Sequence, residues 1–264
     1  MNQFRIIDFH AHVFPEKVAG KAVKAIGRFY GIPMDGKGTI GDLLEKGNEI
    51  GVNRYIIHST ATTPEQVKSI NDFIAKAQKD NKSLIGFGTL HPQLDDIESE
   101  VDRIISIGLK GIKLHPDFQE FDIDDQSMMP IYKALEGKLP ILMHMGDENR
   151  NSSSPERLSN VISLFPDLTV IAAHFGGYMA WDDSSKFLVG KNVYFDTSSA
   201  LFELSKEDAA GIIRKHGPEK ILFGSDYPMW NHKEELQRFL NLELTQNERE
   251  LILWKNASRL LGLD

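Results

Sequence analysis

The chain has 264 residues, 41% of them hydrophobic and 26% charged, with a net charge of −8. That charge disfavours a nucleic-acid backbone as partner, and the absence of cysteine excludes disulfides and thiolate metal ligands. No run approaches the ~18 apolar residues of a membrane span. The first residues, Met1-Asn2-Gln3-Phe4-Arg5, lead straight into a strand pattern without signal-peptide organisation, so a cytoplasmic protein is expected.

Eight short apolar runs read as buried parallel strands. The first covers residues 4–10. The stretch 15–51 is too long for one crossover helix. It reads as an inserted helix, a loop around 31–38 that overhangs the active face, and a second helix. Strand 54–59 follows, then a helix over 64–79 with Val67, Ile70, Ile74 and Ala77 on one face. After strand 83–90 comes a helix over 94–107, carrying Leu94, Ile97, Val101, Ile104 and Ile105. Strands 109–115 and 140–145 precede a helix over 155–165, which has Pro155 in its first turn and a serine run before it able to cap. Strands 169–174, 192–197 and 220–225 complete the set, and residues 231–264 hold the last barrel helix and a terminal helix. Eight strands in 264 residues give about 33 per unit, the alternation of an α/β fold with a parallel sheet. The count favours a closed (β/α)8 TIM barrel, typically about 250 residues, over an open sheet. No G-x-G-x-x-G follows the first strand, which disfavours a dinucleotide site. Residues 1–264 thus read as a single barrel domain.

Five strand ends carry a residue able to hold a metal: Asp8-Phe9-His10-Ala11-His12, Lys113-Leu114-His115, Leu142-Met143-His144, Ala172-Ala173-His174 and Gly224-Ser225-Asp226. A (β/α)8 barrel gathers its strand ends on one face, where histidines and a carboxylate make a metal site. Side chains alternate along a strand, so His10 and His12 point the same way and can share one divalent ion. Each residue also has a plainer use. His144 can be a core histidine bonded to a backbone carbonyl. The Gly176-Gly177 pair after His174 can serve a tight turn or a close approach to a ligand. Asp226 can cap the next helix, although Ser225 or Asn231 could do so instead. His58 and His91 can line a cavity, His216 suits the negative end of a helix dipole, and His232 reads as rim or surface. Phe14, Phe175, Tyr178, Trp181 and Trp230 are either apolar site walls or loop packing.

Together these motifs resemble the amidohydrolase superfamily. They are most similar to the amidohydrolase-related group that includes aminocarboxymuconate-semialdehyde decarboxylase and the resorcylate-type decarboxylases. The resemblance rests on Asp8-Phe9-His10-Ala11-His12, Gly111-Ile112-Lys113-Leu114-His115-Pro116, His144-Met145-Gly146-Asp147, Ala173-His174-Phe175-Gly176-Gly177 and Phe223-Gly224-Ser225-Asp226-Tyr227-Pro228, with the tail Asn256-Ala257-Ser258-Arg259-Leu260-Leu261-Gly262-Leu263. It implies one Zn²⁺ on His10, His12, His144 and Asp226, with His174 off the metal as a catalytic group. It also implies a second possibility, in which a carboxylated Lys113 bridges two ions and His174 binds the second. Lys113 otherwise remains an ammonium facing a substrate carboxylate or an internal acid. The contexts of His115-Pro116 and Asp226-Tyr227-Pro228 favour one ion.

The expected function is a metal-dependent hydrolase acting on an amide, a lactone or another carboxylic ester of a small molecule. A zinc-activated water attacks, Asp226 moves its proton, and His174 stabilises the oxyanion. The alternative is a zinc-dependent non-oxidative carboxy-lyase, in which Asp226 or His174 protonates the carbon that loses CO₂. Lys113, His115 and Arg150 are the candidate substrate-binding residues for either reaction. Arg150 shares its loop with Asp147 and Glu148, so the loop's charge does not choose between them. A PHP-type phosphoesterase is disfavoured because Asp226 is followed by Tyr227-Pro228 rather than x-His. A binding barrel without catalysis would have lost ligands, and none is lost. A homodimer is expected from the resemblance.

Overall fold

The computed structural model describes residues 4–147 and 149–263. Residues 1–3 of the N-terminal segment, Glu148 and Asp264 lie outside the described residues.

Strands and helices alternate in the expected order. The chain runs β1 (Ile7–His12), α1 (Glu16–Tyr30), α2 (Ile40–Glu49), β2 (Arg54–His58), α3 (Gln66–Asp80), β3 (Leu84–Gly86), β4 (Gly88–Thr89) and α4 (Ile97–Ser106). It continues with β5 (Ile112–Leu114), α5 (Pro116–Gln119), α6 (Met129–Leu135), β6 (Ile141–Met143), α7 (Pro155–Leu164), β7 (Val170–Ala172), α8 (Trp181–Phe187), β8 (Tyr194–Asp196) and α9 (Lys206–His216). It ends with β9 (Ile221–Leu222), α10 (His232–Leu240), α11 (Gln246–Glu250) and α12 (Asn256–Leu261). The third expected strand is divided at Phe87 into β3 and β4. Glycines flank the break: a Cβ on Gly86 would lie 2.6 Å from Ile74 Cγ2, and one on Gly88 3.0 Å from Asn71 Oδ1. Side chains of α3 and Leu109, whose Cδ2 would lie 2.5 Å from a Cβ on Gly86, pack closely on both glycines.

Chain contacts group into two compact units, Met1–His58 with Asn81–Ile85 and Thr197–Asp264, and Ser59–Asp80 with Gly86–Asp196. In the first unit β1 pairs in parallel with β2, with Ile7 opposite Arg54 and His12 opposite His58. Every residue of β1 except His12 is buried, so Asp8 and His10, which alternate with Ile7, Phe9 and Ala11, are buried polar groups. The Phe9 amide donates to Phe223 O at 2.8 Å, and the His12 amide to Tyr227 O at 2.7 Å. These bonds set the segment after β9 beside the end of β1. The inserted helices follow, and the loop between them packs on that same segment: the Gly36 amide reaches Pro228 O at 2.9 Å. A Cβ on Gly36 would meet Pro228 Cβ at 3.0 Å, so the approach requires glycine.

In the second unit β4 to β8 form a continuous parallel ladder. Ile112, Ile141 and Val170 align across it, as do Lys113 and Leu142. The apolar residues of α3 and α4 fall at helical spacing, with Val67, Ile74 and Ala77, and Val101 and Ile104, buried. Ser154 occupies the N-cap of α7, but its side chain makes no capping bond, so the serine run does not cap as expected. Among the described residues no helix is long and apolar enough to cross a membrane.

Candidate metal centre

In the first unit β1 ends by presenting two imidazoles. His10 is fully buried and His12 partly so. Their Nε2 atoms lie 3.2 Å apart. Asp226 Oδ1 stands 3.3 Å from His10 Nε2 and 3.4 Å from His12 Nε2. Ligands of a tetrahedral ion held at about 2.0–2.1 Å stand about 3.3–3.4 Å from one another, so these three separations fit a shared divalent cation. The donor chemistry fits as well. His10 Nδ1 lies 3.1 Å from Ser198 Oγ, and donation to that hydroxyl leaves Nε2 with its lone pair toward the cluster. Two nitrogens and a carboxylate oxygen suit Zn²⁺ and other borderline divalent ions.

The backbone that delivers Asp226 is unusual. Its φ is +57°, in the left-handed region that non-glycine residues seldom adopt. Its Oδ2 accepts a short bond of 2.5 Å from Ser199 Oγ. Asp226 does not cap α10. Asn231 does, accepting from the Lys233 amide at 2.9 Å. The capping alternative for Asp226 is thereby removed, and its carboxylate serves the cluster. His58, at the end of β2, is fully buried with its ring centroid 5.0 Å from that of His10 and 4.4 Å from that of His12. Ligand atoms of His10, His12 and His58 lie within 4.8 Å of one another, so His58 is a third imidazole that could serve an ion.

Sequence reasoning missed what lies beneath. Asp8, fully buried, sits on β1 with the same parity as His10 and His12. It bonds Ser225 and His232. His232 is fully buried in this network, which corrects its assignment to rim or surface. Nearby Glu235 is also buried, and burial pushes its carboxyl up to about 7 despite the Arg238 guanidinium beside it.

In the second unit three histidines follow successive strands. His144 Nδ1 lies 3.0 Å from His174 Nε2, and His144 Nε2 lies 3.1 Å from Gly146 O. A carbonyl only accepts, so Nε2 of His144 carries the proton and Nδ1 offers its lone pair. His174 has φ +60° and Phe175 φ +52°, two adjacent left-handed residues at the end of β7. The turn is held by the His174 amide, which donates to Asp196 Oδ1 at 3.0 Å, and by Trp181 Nε1, which donates to His174 O at 3.0 Å. Trp181 therefore packs the turn. His115 is stacked between Phe118 and His144, at 3.8 Å and 3.9 Å with nearly parallel rings. Lys113 is fully buried in β5.

A cavity of about 640 Å³ in this unit is lined by His91, Gln93, Asp117, Gln119 and Arg150 among others. Arg150 Nη1 donates to Asp117 O at 3.1 Å. Burial pushes the Asp117 carboxyl up, opposed by a 2.8 Å bond from Ser153 Oγ. Burial likewise lowers the His91 imidazole. Of the expected site residues, then, His10, His12 and Asp226 meet at one point of the first unit. His144, His174 and His115 form a second group in the other unit, and Arg150 lines a cavity there.

The sequence matches the amidohydrolase family over residues 7–263. The chain belongs to that family. A 2-amino-3-carboxymuconate-6-semialdehyde decarboxylase of Dictyostelium discoideum is 24% identical over 242 residues, 74% of this chain and 66% of that protein. Among solved structures, a dihydroxybenzoic acid decarboxylase from a Polaromonas species, holding manganese and the inhibitor 2-nitroresorcinol, superposes with a TM-score of 0.77 at 17% identity, covering 99% of this chain and 98% of that one. A Pseudomonas putida protein assigned as a 2-pyrone-4,6-dicarboxylic acid hydrolase superposes with a TM-score of 0.70 at 17% identity, covering 100% of this chain and 99% of that one. Likenesses at this identity show the fold: this amidohydrolase is an α/β TIM barrel.

Proposed function

We propose that this amidohydrolase is a metal-dependent, non-oxidative decarboxylase of a small carboxylic acid. The observation that carries the reaction type is the likeness to a named decarboxylase over 74% of the chain. The manganese-holding decarboxylase of the same fold adds support. Hydrolysis, the first expectation from sequence, is the second reading. It keeps specific support in the full-length likeness to proteins assigned as hydrolases.

One divalent ion, Zn²⁺ or Mn²⁺, is held by His10, His12 and Asp226. The family resemblance adds His144 as a fourth ligand. A second ion on carboxylated Lys113 is the less favoured arrangement. When bound, such an ion would supply Lewis-acid polarisation of a substrate carboxylate, hydroxyl or carbonyl oxygen. The bond between the substrate carbon and its carboxylate breaks, the electron pair stays on that carbon, and CO₂ departs. The carbon then takes a proton. His174 is the assigned proton donor; Asp226, whose Oδ1 faces the two imidazoles and whose Oδ2 accepts from Ser199, would serve the ion as a carboxylate. Arg150, on the polar cavity, binds a second anionic group of the substrate. Lys113 and His115 complete the substrate-binding set. Incubation of the metal-loaded protein with aromatic and unsaturated carboxylic acids tests the reaction type. CO₂ release is the expected outcome, and ring opening of lactones without CO₂ would establish the hydrolase.

A further inference from the structure

One buried carboxylate in the first unit has no part in the chemistry above. Asp8 Oδ1 accepts from the backbone amides of His10, at 3.2 Å, and Ser225, at 2.9 Å. Its Oδ2 accepts from the Ser225 hydroxyl, at 2.6 Å, and from His232 Nε2, at 3.0 Å. Four bonds match the roughly four lone-pair sites that a carboxylate offers. Two of them end on Ser225, the residue before Asp226. The Ser225 hydroxyl in turn accepts from the Tyr227 amide at 3.1 Å. The residues on both sides of Asp226 are thus tied to Asp8, one directly and one through a single oxygen.

Asp226 sits between them in the left-handed region. A non-glycine residue stays there only when its surroundings over-determine it. That same backbone turn carries Oδ1 to within 3.3 Å and 3.4 Å of the two imidazoles. Asp8 also bonds the His10 amide, so one side chain spans both halves of the cluster. His232 is well suited to hold Asp8 in turn. It opens α10, where Asn231 caps the helix, and the rings of Tyr227 and Tyr55 pack around it at 5.7 Å and 6.3 Å.

We infer that Asp8, oriented by His232, is a positioning residue for the metal centre. It fixes Asp226 against His10 and His12, and so sets the affinity for an ion it does not touch. The inference rests on the metal-site reading above. A plain structural pin would instead lower stability and leave the affinity of the folded protein unchanged.

The test titrates Mn²⁺ and Zn²⁺ into metal-free wild type, Asp8→Asn, His232→Phe and His232→Gln. The thermal midpoint and the visible spectrum of the Co²⁺-loaded form are recorded beside each Kd. Asp8→Asn and His232→Phe should bind about 10–100-fold more weakly, while His232→Gln, which keeps a donor, should stay within about threefold of wild type. The Co²⁺ spectrum of Asp8→Asn should shift. Wild-type affinity in folded Asp8→Asn and His232→Phe, with or without a lowered midpoint, overturns the inference and leaves the metal site standing. If Asp8→Asn does not fold, the His232→Phe and His232→Gln pair decides: equal affinities overturn the inference. Wild-type protein that binds none of the three ions overturns the metal-site reading itself.

Discussion

His10 Nε2 and Asp226 Oδ1 stand 3.3 Å apart, although one lies near the start of the chain and the other near its end. Ser198 fixes the far side of the His10 ring and Ser199 the far side of the Asp226 carboxylate. The two donors are therefore held by consecutive residues of one segment. If they share an ion with His12, removing any one of the three leaves an incomplete shell. His12→Ala should weaken divalent-ion affinity by more than ~100-fold, beyond the usual cost of losing a supporting bond. Elemental analysis of gently purified protein should find about one ion per wild-type chain and almost none in the variant.

His174 gives the opposite expectation. It pairs with His144 at 3.0 Å, and as a proton donor it need not hold the ion. His174→Ala should retain the ion and lose about 10²–10⁴-fold in turnover. Metal content and kcat measured on one preparation separate the two effects. Equal ion loss in His174→Ala and His12→Ala, with two ions in wild type, would establish the binuclear arrangement through Lys113.

Glu235 makes stability depend on pH. Its carboxyl is raised from an ordinary 4.5 to about 7 by burial. Below 4.5 both folded and unfolded chains hold the proton. Between 4.5 and 7 the unfolded chain releases it while the folded chain keeps it, so stability falls as pH rises, and the loss is complete above about 7. Glu235→Gln removes this contribution. In metal-free protein the variant should gain stability relative to wild type between pH 4.5 and 8, by on the order of 1–3 kcal/mol. Denaturant melts at the two pH values measure the change. A difference between variant and wild type that is constant with pH would contradict it.

Gly224 is the backbone neighbour of His10. A Cβ there would lie 2.9 Å from His10 Cβ and 3.2 Å from Ser198 Cβ. Gly224→Ala should cost ~1–3 kcal/mol through overpacking and, if His10 is a ligand as proposed, also weaken metal binding. A loss of stability with unchanged metal affinity would place His10 outside the centre.

What was legible in the sequence is what has a local signal. Alternation along β1 put His10 and His12 on one face, and the strand ends marked Asp226 in the first unit and, separately, His144 and His174 in the second as candidates. The β/α order was legible because the strands are largely buried on both faces and helices such as α3, α4 and α9 bury one. The supporting network was not. Asp8 and His232 are 224 positions apart, and Ser198 and His10 are 188 apart. A serine or an aspartate has too many plainer uses for its type alone to reveal such a partner. One clue was present: Asp8 shares the parity of the two histidines on a strand too buried to carry an unused charge. His232 was assigned to rim or surface from its place after the last strand; its burial comes from Asp8 and Tyr55, both remote from it in the chain. The break at Phe87 was invisible because the residues packed on its flanking glycines, Ile74, Asn71 and Leu109, lie elsewhere in the chain.

The most direct measurement of the central claim is product analysis in deuterated, ¹⁸O-labelled water. The metal-loaded protein is given carboxylic acids and lactones in parallel, and the efficiently converted substrate is analysed by mass spectrometry and NMR. Decarboxylation releases CO₂ and leaves one deuterium on the carbon that bore the carboxylate, with no ¹⁸O in the organic product beyond solvent exchange. His174→Ala should form the same labelled product about 10²–10⁴-fold more slowly. An ¹⁸O-labelled new carboxylate, formed without CO₂ and without carbon-bound deuterium, would contradict the decarboxylase and establish the hydrolase on the same fold.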